Sequence, residues 1–159
     1  MTNFSTVEQF GTRDLAVGAG SGAFVGDYNT VCSLDSVIVA GSANIVDPGA
    51  GNTSDDGNFA AIVAGSNNLV TRQADFIGAG YGNTVSGYMS FIGAGGYTVT
   101  DLEGSTGNQV SGNNSFIGAG AQNGVFADES FIGSGTTNGG GCQSNLCDDP
   151  RRKSQHGVR

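Results

Sequence analysis

The sequence predicts an all-β chain: a parallel β-roll or β-helix solenoid of about seven 15-residue coils. Three observations predict it. A six-residue phrase is said four times almost unchanged: Asp75-Phe76-Ile77-Gly78-Ala79-Gly80, Ser90-Phe91-Ile92-Gly93-Ala94-Gly95, Ser115-Phe116-Ile117-Gly118-Ala119-Gly120 and Ser130-Phe131-Ile132-Gly133-Ser134-Gly135. An Asn follows the closing glycine by three residues and a Val follows the Asn by two, as in Asn83/Val85 and Asn123/Val125. Finally, no helical periodicity lasts two turns, and each 15-residue unit (Phe76 to Phe91, Phe116 to Phe131) holds two short extended segments separated by Gly and Asn, the residues that suit positive-φ turns.

The period can be counted from Gly22. Gly26 precedes Asn29 and Val31; Val37-Ile38-Val39-Ala40-Gly41 precedes Asn44 and Val46; Ala61-Ile62-Val63-Ala64-Gly65 precedes Asn68 and Val70. The four Phe units follow, so residues 22–140 form the repeat domain. At about 4.8 Å per coil, seven coils would make a rod of roughly 34 Å. Residues 1–21 read as an irregular N-terminal cap, in which Leu15-Ala16-Val17-Gly18-Ala19-Gly20 echoes the phrase out of step; residues 141–159 read as a C-terminal cap or basic tail. Gly41 to Gly65 is 24 residues and Gly95 to Gly120 is 25, so extra residues fall near Asp47–Phe59 and Tyr97–Thr106. Both insertions are expected to bulge from opposite turns without breaking the stack.

The columns predict the packing. Ile38, Ile62, Ile77, Ile92, Ile117 and Ile132 face Val31, Val46, Val70, Val85, Val110 and Val125 across an inner seam. Asn29, Asn44, Asn68, Asn83, Asn108, Asn123 and Asn138 are placed to bond coil to coil as a ladder, or simply to suit left-handed turns. Neighbours on a strand point to opposite faces, so if Ile is inside, Phe76, Phe91, Phe116 and Phe131 stand in a row outside. A strand apolar on both faces is buried on both. Burying four Phe is worth on the order of 6–12 kcal/mol, comparable to the about 4–15 kcal/mol that association costs. The Phe column is therefore expected to be an oligomer interface. With Phe inside and Ile outside, an apolar column would still need a cover; in a monomer the N-terminal segment or the tail would have to supply it.

Charge narrows the partners. Residues 1–150 hold all 14 acids but only Arg13 and Arg72, a balance of −12, whereas the last nine residues carry +4. An acidic body repels phosphate backbones, so no nucleic acid partner is expected. No run of 18 apolar residues exists, so no membrane insertion is expected, and the N-terminus lacks the basic-then-apolar pattern of a signal peptide. Gly is 29 of 159 residues, but its recurrence with the period marks turns and close packing rather than a linker.

Ser-Phe-Ile-Gly followed by Asn-x-Val-Ser-Gly resembles the head repeats of trimeric autotransporter adhesins of the YadA type over roughly residues 22–140. Similar phrases occur in phage tail-fibre regions. The resemblance implies a left-handed parallel β-roll, three copies joined into one head, and a surface location, although no export signal, neck, coiled-coil stalk or membrane anchor is read in these residues. Asn83-Thr84-Val85-Ser86-Gly87 also resembles repeats of plant ice-binding proteins. Ice binding needs a flat, regular outward array. Here the outward pairs are Thr30/Cys32, Ile45/Asp47, Leu69/Thr71, Thr84/Ser86, Gln109/Ser111 and Gly124/Phe126, which is irregular.

Catalysis is hard to assemble. His156 is the only His, so no Ser-His-Asp set and no His-based metal site is expected. No Gly-rich loop leads into a helix, and no cofactor is expected. Asp55-Asp56 and Asp101/Glu103 are the carboxylate pairs a polysaccharide-cleaving fibre would use, and equally ordinary loop charges. Asp47, Asp55 and Asp56 lie in an oxygen-rich insertion that is a weak calcium candidate without EF-hand spacing, or a polar surface loop. Cys142 and Cys147 are close enough in sequence to bridge, or are free thiols; Cys32 reads as a small packing residue. Arg151-Arg152-Lys153 could bind acidic surfaces, including the body itself, or cap the last coil. The sum is a non-enzymatic structural or adhesive homotrimer presenting two loops to a glycan or matrix ligand. The alternatives are an ice-binding roll and a phage-fibre-like polysaccharide-binding or -cleaving module.

Overall fold

The structure, a computed structural model, describes residues 15–16, 22–47, 58–96 and 107–140. They form fifteen strands and no helix. In chain order the strands are β1 (Leu15–Ala16), β2 (Gly22–Asp27), β3 (Thr30–Val31), β4 (Val37–Ser42) and β5 (Ile45–Val46). Then come β6 (Ala61–Ile62), β7 (Leu69–Val70), β8 (Phe76–Ile77), β9 (Thr84–Val85) and β10 (Phe91–Ile92). The last five are β11 (Gln109–Val110), β12 (Phe116–Ile117), β13 (Gly124–Val125), β14 (Phe131–Ile132) and β15 (Gly139–Gly140). Odd-numbered strands make one eight-stranded sheet and even-numbered strands a seven-stranded one, each in strict stacking order and parallel throughout.

The register follows the repeat. Ile77 lies beside Ile92, Ile92 beside Ile117 and Ile117 beside Ile132. Val70 lies beside Val85, and Val85 beside Val110. The stack passes both insertions without losing register, since Val46 pairs with Val70 and Ile92 with Ile117. Of the two expected insertions, residues 97–106 and residues 48–57 lie outside the described residues, whereas Asp47, Asn58 and Phe59 at the edges of the first belong to the stack: the Asp47 N–H donates to the Val70 carbonyl at 3.0 Å and the Phe59 N–H to the Leu34 carbonyl at 3.1 Å. One strand precedes the unit counted from Gly22. Leu15 pairs with Thr30, 15 residues on, so this segment belongs to the Asn-x-Val sheet although its wording resembles the phrase of the other sheet.

From β3 to β14 each two-residue strand places its first residue outward and its second inward. The Ile column from Ile38 to Ile117 and the Val column from Val31 to Val125 are 0% exposed and form one continuous core, with Ile132 partly buried at its end. Each such buried side chain contributes about 1.5–3 kcal/mol. Stacking converts a two-residue apolar dyad, too small to fold alone, into a seam.

The corners are made by residues with positive φ. One row comprises Tyr28, Ala43, Asn67, Gln122 and Thr137, each directly before a ladder Asn. The other comprises Asp35, Phe59, Ala74, Met89, Asn114 and Glu129, each two residues before an outward strand residue. The left-handed conformation reverses the direction of hydrogen bonding. Strand N–H groups donate to the following coil, as Phe76 does to the Ser90 carbonyl at 2.9 Å; corner N–H groups donate to the preceding one, as Ala74 does to the Asn58 carbonyl at 2.9 Å. Adjacent coils are thus bonded in both directions, which offsets the cost of a left-handed non-glycine residue.

Candidate functional site

The outer face of the even-numbered sheet carries the candidate interaction site. Phe76, Phe91, Phe116 and Phe131 stack in one column, with ring centroids 4.8, 4.9 and 5.2 Å apart and planes within 3°, 5° and 9° of parallel. The spacing is that of the strands, so the backbone register sets the ring stack. Val37 and Ala61 continue the column at its N-terminal end.

The rings have seats. Residue i+2 shares the outward face, and it is Gly78, Gly93, Gly118 or Gly133 beside Phe but Val39 or Val63 beside Val37 or Ala61. A Cβ placed on Gly78, Gly93 or Gly118 would lie 3.3–3.5 Å from Cε1 of the Phe two residues before it, and would also strike the carbonyl oxygen of the equivalent glycine in the next coil. The first glycine of the phrase is the floor on which the aromatic ring lies. Stacking and seating leave Phe76, Phe91 and Phe116 half-buried within a single chain, whereas Phe131, on the edge strand β14, is 71% exposed. The apolar area left for a partner is therefore smaller than a fully wet Phe row would offer.

No charged side chain interrupts these two outward columns between Val37 and Gly133. The neighbouring corner is mixed: Leu34, Phe59 and Met89 are exposed there beside Asp35, Asn114 and Glu129. The opposite face is mixed: Thr30, Ile45, Leu69, Thr84, Gln109 and Gly124 alternate with Cys32, Asp47, Thr71, Ser86, Ser111 and Phe126. The Phe126 ring folds back over Gly124, 2.7 Å from where a Cβ would stand, and borders a shallow groove of about 260 Å³ edged by Gln109 and Gln122.

Two polar columns fix the coils that carry the face. The Asn column is a continuous ladder. Asn44, Asn68, Asn83 and Asn123 each donate both the backbone N–H (3.0–3.1 Å) and the side-chain amide (2.9–3.1 Å) to the Asn Oδ1 of the preceding coil. Asn108 donates its backbone N–H to Asn83 Oδ1 at 3.0 Å, and Asn138 closes the row on Asn123. Each amide reaches forward as well: Asn83 Nδ2 donates to the Gly95 carbonyl at 3.0 Å. Positive φ sits one residue before these Asn, so hydrogen bonding rather than turn preference accounts for the column. It also explains the closing glycines. At Gly80, φ is 120°, and a Cβ would collide with the Gly95 carbonyl oxygen and lie 2.7 Å from Asn83 Nδ2.

The second column, given no role in the sequence reading and polar except at Ala60, precedes the outward Val, Ala or Phe: Ser36, Ala60, Asp75, Ser90, Ser115 and Ser130. All but Ser130 are buried. The signal was present, since a small polar residue opens every copy of the phrase. Asp75 is the exception in charge. Burial pushes its carboxyl up to about 8, against the lowering effect of the Ser90 N–H, the Arg72 N–H and the Arg72 guanidinium.

Among the described residues the remaining sequence candidates do not gather into a site. Asp47 is half-buried beside β5, and its charge, after burial itself, helps raise the exposed Cys32 thiol. Asp55, Asp56, Asp101, Glu103, Cys142, Cys147, His156 and the basic tail lie outside the described residues. Among the described residues no three His, Cys, Asp or Glu cluster to hold a metal, and no helix is long and apolar enough to cross a membrane. No protein-family model, curated protein or solved structure matches this chain.

Proposed function

We propose that this chain is a non-enzymatic structural and adhesive module, a left-handed β-roll that joins two further copies through its Phe face and presents its insertions to a surface or glycan ligand. One observation carries the reading: an uncharged outward column of stacked Phe rings, continued by Ala61 and Val37, on a sheet already packed on its other side. Closed three-fold symmetry would cover that face in every copy. The two parallel sheets with a 15-residue register support the resemblance to YadA-type head repeats, from which the left-handed winding and the trimer are taken. The groove beside Phe126, at about 260 Å³, is below the about 300–1,000 Å³ of an ordinary ligand pocket, which favours recognition by an extended surface. Trimerisation would then add avidity without any new contact.

Light scattering tests the assembly. The expected mass is three times the 15.9 kDa of one chain. Replacing both Phe91 and Phe116 with Ser should reduce it to a single chain while the far-ultraviolet spectrum stays that of a β protein. A single-chain mass for the unaltered protein overturns the reading.

A further inference from the structure

The serine column contains a carboxylate that does not fit it as an anion. Each buried serine there performs two tasks. Its oxygen accepts the N–H of the same position in the next coil: Ala60 donates to Ser36 Oγ at 3.1 Å, Ser115 to Ser90 Oγ at 3.2 Å, and Ser130 to Ser115 Oγ at 3.0 Å. Its proton goes to a carbonyl. Ser90 Oγ lies 2.8 Å from the Gly112 oxygen and 3.1 Å from that of Tyr88; Ser115 Oγ lies 2.9 Å from the Ala127 oxygen and 3.0 Å from that of Asn113. Those acceptors sit three residues before the next coil's serine and two residues before the serine itself.

Asp75 occupies this column at 1% exposure. Its Oδ1 accepts the Ser90 N–H at 2.9 Å, which is the first task. Its Oδ2 is buried without a hydrogen-bond partner. An ionised carboxylate has no proton to give and can only accept; a carboxylic acid can do both. By the register of the column, the carbonyls at the positions equivalent to the serine acceptors are those of Gly87 and Gln73; the latter also accepts the Met89 N–H at 3.0 Å, as the Tyr88 carbonyl accepts the Asn114 N–H at 2.8 Å beside Ser90.

We propose that Asp75 is a proton-operated joint: as a neutral acid it donates through Oδ2 where the coils of Ser36, Ser90 and Ser115 use a serine hydroxyl, and loss of that proton loosens the stack between the Phe76 and Phe91 coils. The surroundings favour the neutral form. The preceding coil places Ala60 and the following coil Ser90 at this position, and neither titrates. The charged neighbour is Arg72, on the same corner; its guanidinium is engaged with Tyr88, 5.3 Å from the ring centroid with Nη1 donating to Oη at 3.2 Å. Burial outweighs Arg72 and sets the carboxyl at about 8.

The sign follows from linkage. The folded value lies above the unfolded value of about 3.9, so this group's stabilisation is complete below about 4 and is lost as pH rises through about 8. Between those values the folding equilibrium should weaken about tenfold per pH unit on account of this one proton.

The test uses the full chain with carboxyl-¹³C aspartate, assigned by comparison with the Asp75→Asn protein. The Asp75 carbon is expected to titrate near 8, apart from the other aspartates; titration near 4 overturns the proposal. Denaturant unfolding from pH 5 to 9.5 is then compared among the unaltered, Asp75→Ser and Asp75→Asn proteins. Both substitutions supply a donor and an acceptor that do not titrate. His156 and the cysteines are common to all three proteins, so only the Asp75 contribution separates them. The difference in pH dependence between the unaltered chain and both variants is expected to be the slope of one proton, and an identical slope in all three overturns the proposal. If neither variant folds, the ¹³C titration of the unaltered chain decides alone, with its aspartates assigned by sequential backbone resonances.

Discussion

Asn68 Oδ1 accepts two hydrogen bonds from Asn83, one from its backbone N–H at 3.1 Å and one from its side-chain amide at 3.0 Å. The same amide reaches the Gly95 carbonyl in the coil beyond, so one side chain ties three coils together. Its Oδ1 in turn accepts the Asn108 N–H at 3.0 Å.

Replacing Asn83 with Ala should therefore cost more than one ordinary hydrogen bond. The Asn108 N–H loses its acceptor in a 0%-exposed corner, and an orphaned donor costs about 1–3 kcal/mol, whereas the Gly95 carbonyl keeps the Tyr81 N–H at 2.9 Å. The expected loss is about 3 kcal/mol, read as a lower denaturant midpoint with unchanged slope. Asn138→Ala at the exposed end of the row should cost under about 1 kcal/mol. Equal effects at the two positions would contradict a ladder that strengthens toward its middle.

Gly80→Ala should be worse than Asn83→Ala. The new methyl meets the Gly95 carbonyl oxygen and the Asn83 amide at a φ of 120°, and the backbone cannot yield without breaking the coil above. The expected result is loss of cooperative unfolding by circular dichroism. Gly82→Ala has an open site, with Gly107 N at 3.6 Å, and a φ of 68° that alanine holds at Ala43 and Ala74. It should cost only about 1 kcal/mol, the price of a left-handed non-glycine residue.

Phe91 and Phe131 separate the stack from the surface. Phe91 has a ring on both sides and Phe131 on one. At about 0.5–1.5 kcal/mol per aromatic pair, Phe91→Ala should lose roughly twice what Phe131→Ala loses, measured at concentrations low enough to hold single chains.

Shortening either insertion to restore a 15-residue spacing should leave the roll intact, because Val46 already pairs with Val70 and Ile92 with Ile117 across the two gaps. Stability should change by no more than about 1 kcal/mol, the scale of loop-closure differences. Binding to immobilised glycan or matrix panels should weaken if these loops carry it.

The period, the all-β class and the seam of Ile and Val could be read from the chain alone. The reason is physical: when each unit packs on its own copy, every structural requirement recurs at one spacing, and Ile77, Ile92 and Ile117 declare the seam by repetition. Three features needed the tertiary structure. Leu15–Ala16 joins the odd-numbered sheet because register with Thr30–Val31, not wording, selects its partner. Gly93 is a seat for Phe91 because the space beside a ring is set by the coil above. Asp75 belongs to a buried serine ladder because a carboxyl and a hydroxyl look unlike in sequence but occupy one column in space, where burial by neighbouring coils decides which proton stays.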